Sequence, residues 1–215
     1  MTPDPTRRLD DCPLVIFIAY AVGPTAEEQG YSDWLRKVDM PFFNAIPGTL
    51  HYANWRLRSL EMGESRDWNY FDFQGLVTED DLERVWFNPD LDHFRSEWLR
   101  LWGYGREETP PAIAHSYVMR MVARSPGHHT DETLMLSGGI GQTPDFEADL
   151  SYRVEGVLHK HFGTGSVTGD WQTPASDLNP LGLDWLAVQY GSGRQPVAGA
   201  TFAAEATLIA APDRD

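Results

Sequence analysis

Between residues 14 and 124 the hydrophobic pattern reads strand, helix, strand, strand, helix, strand. That order leaves few folds open, because each helix has one apolar face and needs a sheet to cover. Residues 14–20 (LVIFIAY) form a short, continuous, β-branched apolar run stopped by Gly23-Pro24, as expected of a buried strand. Thr25 can cap the helix that follows, with Glu27 and Glu28 in its first turn. Tyr31, Trp34, Leu35 and Val38 recur on one face of that helix, and Pro41 ends or bends it. Residues 49–60 and 68–77 read as two strands of a hairpin. Thr78 caps the next helix, Asn88-Pro89 interrupts it, and Leu91, Phe94, Trp98, Leu101 and Trp102 form the stripe of its continuation. Residues 112–124 are the fourth strand.

These elements predict an α+β, ferredoxin-like βαββαβ domain over 13–124, an antiparallel sheet with both helices on one face. Residues 1–12, polar and proline-containing, are expected to be a disordered tail. Residues 125–215 read as a C-terminal extension or as a second, degenerate ferredoxin-like half. Within them 125–143 is loop-like, with four glycines. Phe146, Leu150, Val154, Val157, Leu158 and Phe162 have helical spacing. Residues 183–190 and 200–211 look like two further strands.

The 215 residues carry 17 Lys and Arg against 32 Asp and Glu, a net charge of −15. This argues against a nucleic-acid partner and against docking on an anionic membrane, since both need a basic face. The one cysteine, Cys12, leaves no intrachain disulfide and no thiolate zinc site. No apolar run approaches the roughly 18 residues of a membrane span, and the start lacks the apolar stretch of a secretory signal. A cytoplasmic protein is expected.

The segment Ser32-Asp-Trp34…Asp39-Met-Pro41…Ile46-Pro47-Gly48…Tyr52 resembles the EthD-like proteins of the dimeric α/β-barrel superfamily. The interrupted helix Trp86-Phe-Asn-Pro89…His93-Phe94…Trp98 is similar to that superfamily's second helix. The likeness covers about residues 13–124. It implies a homodimer whose two sheets close into a barrel, with a pocket between each sheet and its helices or loops. It further implies cofactor-free isomerase, cyclase, decarboxylase, dehydratase or monooxygenase chemistry on small cyclic or aromatic compounds, and in a few members haem. This chain departs from the family pattern at one point: Asp39 stands where the pattern has His before x-Pro, so only a carboxylate could act there as a base.

Strand alternation then sorts the candidate residues. Tyr52, Asn54, Arg56 and Arg58 share one face of the second strand, and His51, Ala53, Trp55 and Leu57 the other. Tyr70, Asp72 and Gln74 share a face of the third. The polar face is expected to point away from the helices, which in a closed barrel is inward. There Asp72 beside Tyr70 and Arg56 would form a buried proton-transfer cluster. On an open sheet the same face would meet solvent or a subunit seam. His115 and Tyr117, alternating on the fourth strand, could form an acid/base pair or a hydrogen-bonded core contact. His51, facing the helices, could be oriented by Asp39 as a catalytic base or held in a structural hydrogen bond.

The remaining histidines point elsewhere. His159 and His161 are poor joint ligands at helical spacing, and His128-His129 reads as exposed loop. Ser137-Gly-Gly-Ile-Gly141 lacks the residues of a phosphate loop. Eight tryptophans suit an aromatic-walled pocket for a flat ligand. Residues 61–108 hold 13 acids and 5 arginines, a rim that prefers a neutral phenol, ketone or lactone over a phosphate ester.

The expectation is a small enzyme, a lyase or isomerase, acting without metal or cofactor on a cyclic or aromatic metabolite by proton transfer. Asp72, His115 and His51 are the candidate bases. Tyr70 and Tyr117 are donors to a developing enolate, and Arg56 stabilises its charge. Two alternatives stand beside it: a ligand- or partner-binding protein, and a haem protein with His115 or His51 as axial ligand.

Overall fold

The computed structural model describes residues 8–63, 68–102, 114–126, 131–143, 148–158 and 181–212. β1 (Leu14–Tyr20) is buried on both faces, which is why it carries no polar alternation. Val15, Phe17 and Ala19 pack with one core cluster, and Leu14 and Ile16 with another. β1 pairs antiparallel with β3 (Tyr70–Leu76) on one side and β4 (Ala114–Arg124) on the other. β3 in turn pairs with β2 (Thr49–Met62), the longest strand.

The sheet does not stop at these four strands. β5 (Thr133–Gly139), β6 (Leu150–Leu158), β7 (Trp185–Tyr190) and β8 (Phe202–Ala210) bridge its two free edges. β8 pairs with β2 and β6 with β4, so the order β1-β3-β2-β8-β5-β7-β6-β4 closes on itself. The expected ferredoxin-like α+β sheet with open edges is therefore overturned. The protein is a closed, eight-stranded antiparallel barrel, and one chain closes it rather than two. The strands of the two halves lie in the same order around it, β4-β1-β3-β2 and β8-β5-β7-β6. Closure removes both sheet edges and their unpaired backbone groups.

Aromatic rings fill the interior. Phe17 lies 5.6 Å from Phe71 and 5.5 Å from Phe73, ring centre to ring centre. Trp55, Trp68, Tyr117 and Tyr152 belong to the same cluster. Leu9 and Cys12, within the stretch expected to be a tail, also belong to it.

The helices lie against the outer face of the first four strands. α1 (Tyr31–Trp34) runs through a π-helical turn, Leu35–Asp39, into α2 (Met40–Ala45). α3 (Glu79–Trp86) begins at a capping box in which the Thr78 backbone N–H donates to Asp81. α4 (Pro89–Leu101) restarts behind Asn88, whose side chain accepts from the Asp90 N–H, with Pro89 at the first helical position. Phe43, Leu82, Val85, Trp86 and Leu91 bury themselves on the sheet. Among the described residues no helix is long and apolar enough to cross a membrane.

Two further expectations in the second half are corrected. The glycine-rich stretch read as loop contains β5, because Gly138 and Gly139 leave room for Leu183 and Trp185 to lie against the strand. Phe146 and Phe162 lie outside the described residues, and the described part of the segment with helical spacing forms β6. Its ladder with β4 slips at Gly156 and Val154, which face consecutive residues of β4. That bulge breaks the two-residue alternation and produces the misleading spacing.

Candidate active site

The face assignment made from the sequence is inverted. Ala53, Trp55, Phe71 and Phe73 point into the barrel, and Tyr52, Tyr70 and Asp72 lie under the helices. The polar residues offset part of the desolvation penalty there by hydrogen-bonding one another. A partly open cavity of about 80 Å³ lies between this outer face and the helices. Tyr20, Tyr52, Phe43, Trp86, Phe94 and Trp98 wall it, and its polar groups are Asp39, Asp72, Arg95 and Ser116. A single water needs only about 10–15 Å³ of such space.

Asp39 reaches the cavity because of the π turn, where the Met40 N–H donates to the Leu35 carbonyl instead of to the residue one nearer. The extra residue rotates the helix past its expected face. Val38 becomes 43% exposed while Asp39 is 4% exposed. π turns of this kind recur at functional sites. Asp72 comes from the middle of β3, opposite Asn54 of β2 and Ile18 of β1.

The two carboxyls are joined through Asn54. Its Nδ2 donates to Asp39 Oδ2 and to Asp72 Oδ1, both at 2.8 Å. Tyr52 donates to Asp72 Oδ2 at 2.7 Å and Tyr20 to Asp72 Oδ1 at 3.1 Å. The chain continues outward: Trp98 Nε1 donates to the Tyr31 hydroxyl at 3.1 Å, and Tyr31 donates to the Tyr20 hydroxyl at 3.3 Å. Burial pushes both carboxyls up, Asp39 to about 7, and the repulsion of Asp39 pushes Asp72 up further. The pair therefore titrates as a unit and retains a proton at neutral pH. Burial and the adjacent carboxylates also raise Tyr20, Tyr31 and Tyr52, so these hydroxyls stay protonated.

Arg95 of α4 faces this pair from the helical side. Its guanidinium lies 4.4 Å from the centre of the Trp86 ring. Burial lowers its pKa to about 10, against the attraction of Asp92, so it remains charged at neutral pH.

The other sequence candidates lie elsewhere. Tyr70 and Arg56 group with Glu27 rather than with Asp72. Tyr70 donates to Glu27, Arg56 Nη1 lies 3.6 Å from Glu27 Oε1, and the guanidinium sits 6.0 Å from the Tyr70 ring. His51 is buried on the inward face of β2, on the side away from Asn54 and Asp39, where its Cβ lies close to Gly75 and Cys12. His115 is half-buried opposite Ala19, on the same inward face of β4 as Tyr117. Tyr117 is fully buried in the interior cluster, and its hydroxyl accepts from the Leu181 N–H at 3.0 Å. The structure thus brings Asp39 and Asp72 together and places His51, His115 and Tyr117 across the sheet from them. His128, His129, His159 and His161 lie outside the described residues.

Sequence reasoning missed Tyr20, Asn54 as the bridge, and Arg95. Arg95 had a signal. It falls four residues after Leu91 and three before Trp98, a cation on the apolar stripe of its helix. Among the described residues no group of three or more His, Cys, Asp or Glu is placed to hold a metal ion. The chain matches no protein-family model, no curated protein and no solved structure.

Proposed function

We propose that the protein is a cofactor-independent enzyme that moves a proton on a small cyclic or aromatic compound bound between the barrel and its helices. The observation that carries this reading is the Asp39–Asp72 pair, buried, bridged by Asn54 and open to an aromatic-walled cavity. One carboxylate of the pair removes a proton from a carbon beside a carbonyl. The protonated carboxyl delivers a proton to another atom of the same molecule. The substrate is isomerised, and the pair ends with the number of protons it began with. A group whose pKa lies near neutral is suited to both halves of that exchange. The aromatic walls exclude water and hold a flat ring. The resemblance of Trp34, Pro41 and Pro47-Gly48 to EthD-like proteins is in keeping with this chemistry, with Asp39 standing in place of the pattern's His.

The test is hydrogen exchange in heavy water. Small cyclic ketones, lactones and aromatic keto acids are incubated with the protein, and loss of the proton beside the carbonyl is followed by NMR. Catalysed exchange that disappears in both Asp39→Asn and Asp72→Asn supports the reading. Binding without exchange favours a ligand-binding protein, and exchange unaffected by either substitution places the chemistry elsewhere.

A further inference from the structure

A buried guanidinium needs an anion, or burial leaves its charge uncompensated. The Arg95 side chain is only 13% exposed, and its Nη1 has no hydrogen-bond partner among the described residues. Among the described residues its one ion pair is with Asp92, 3.9 Å away on a side chain that is itself mostly exposed. Asp39 and Asp72, which accept from Asn54, Tyr52 and Tyr20, form no ion pair with Arg95 among the described residues. The cavity is therefore bipolar, with a carboxyl pair on the sheet side and, on the helix side, a buried cation whose one ion-pair partner among the described residues is the mostly exposed Asp92.

We infer that Arg95 anchors the carboxylate of a single-ring acid, whose ring lies among Tyr52, Phe43, Phe94 and Trp98 and whose opposite edge meets the Asp39–Asp72 pair. The inference rests on the reading of this cavity as the substrate site, and it names the substrate class. A guanidinium offers two parallel N–H groups that match the two oxygens of a carboxylate. Trp86 beneath the guanidinium holds the fork in place. The cavity is small, about 80 Å³, and partly open, which favours a single ring over a fused-ring ligand. This reverses the preference for neutral ligands drawn from the acidic composition. Surface charges farther than about 8 Å are screened at physiological ionic strength, whereas a buried cation in direct contact is not.

The test is equilibrium binding of benzoate, benzamide and phenol to the 215-residue chain, read by the fluorescence of the cavity tryptophans and by ligand-observed NMR. Benzoate is expected to bind about tenfold or more tighter than benzamide. Arg95→Gln removes that preference and leaves benzamide binding in place. Should Arg95→Gln fail to fold, Arg95→Met keeps the apolar contact with Trp86 and serves instead. Equal binding of benzoate and benzamide by the wild type overturns the inference, as does a preference that survives both substitutions. The two readings fail separately. A carboxylate preference without hydrogen exchange removes the proton-transfer reading alone, and exchange without the preference removes the anchor alone. No binding of any of the three probes overturns the anchor and the cavity together.

Discussion

Asp39 and Asp72 accept hydrogen bonds from one and the same amide nitrogen, Asn54 Nδ2, at 2.8 Å each. They come from different layers, one from a helical turn and one from a strand, and neither has an arginine or lysine as its direct partner among the contacts described. Asn54, Tyr52 and Tyr20 surround them from the sheet, Tyr31 and Trp98 extend the network from the helices, and Arg95 faces them across the cavity. A neutral amide can hold two carboxyls together only if they do not both carry full charge.

This sets the pH dependence of stability. In the unfolded chain Asp39 ionises near 3.8, and in the folded protein near 7. Between those values the folded state binds more protons, so this group's contribution to stability is complete at low pH and is lost as pH rises toward 7. Asp39→Asn has no proton to lose. Relative to the wild type it is expected to gain a few kcal/mol as pH rises from about 4 to about 8, at roughly 1.4 kcal/mol per pH unit of displacement. Urea unfolding of both proteins at several pH values measures the difference. A difference that stays flat across the window means that Asp39 ionises normally.

Asn54 itself is fully buried, and its amide is the shared donor of the pair. Asn54→Ala is expected to destabilise the fold by roughly 1–3 kcal/mol, the cost of leaving buried acceptors unsatisfied. It should also move the midpoint of the exchange reaction to higher pH, because both carboxylates lose a donor. Tyr52→Phe removes the donor 2.7 Å from Asp72 and should shift the midpoint in the same direction while leaving the ring stacked on Phe43. A midpoint unmoved in both variants would mean that the pair does not control the reaction.

The first half of the fold was legible because its elements obey local rules. The capping box at Thr78, the restart at Asn88-Pro89 and the apolar run of β1 each carry their cause in a few adjacent residues. What failed was the assumption that polar strand faces turn away from helices. Tyr52, Asn54 and Asp72 lie beneath the helices because they satisfy one another there, and rings such as Phe71 and Phe73 gain more by filling the barrel. The π turn was equally hidden, since Val38 has the spacing of a buried residue until one extra residue enters the turn. Barrel closure depends on β8 meeting β2 and β6 meeting β4, pairings between distant segments that no local pattern specifies.

Gly139 offers a test of how closely the second half is packed. A Cβ placed there would stand 2.8 Å from the ring of Trp185, which is fully buried. Gly139→Ala is therefore expected to cost about 1–3 kcal/mol, the usual penalty for overpacking a rigid core. Gly23 provides the contrast, since nothing lies within 4 Å of a Cβ at that position. Gly23→Ala should be neutral or slightly stabilising, because it restricts the unfolded chain. Thermal melts of the two variants distinguish the sites, and equal behaviour would contradict the packing of Trp185 on β5.

Gly75 tests the seal formed by the residues before β1. A Cβ at Gly75 would fall 2.2 Å from Cys12 Sγ and 2.8 Å from Cys12 Cβ, and the Cys12 side chain is fully buried. Gly75→Ala must displace Cys12, and with it Leu9, which packs in the same interior cluster. The expected loss is about 1–3 kcal/mol, with faster reaction of the Cys12 thiol toward a bulky thiol reagent. Cys12→Ala by itself removes a buried sulfur and should cost about 1 kcal/mol. Combined with Gly75→Ala it relieves the contact with Sγ but not the contact with Cβ. The double variant should thus be less destabilised than the sum of the single changes, a coupling that urea unfolding of all four proteins measures directly. Additive losses, with Cys12 no more reactive in Gly75→Ala than in the wild type, would show that the segment before β1 does not seat against Gly75.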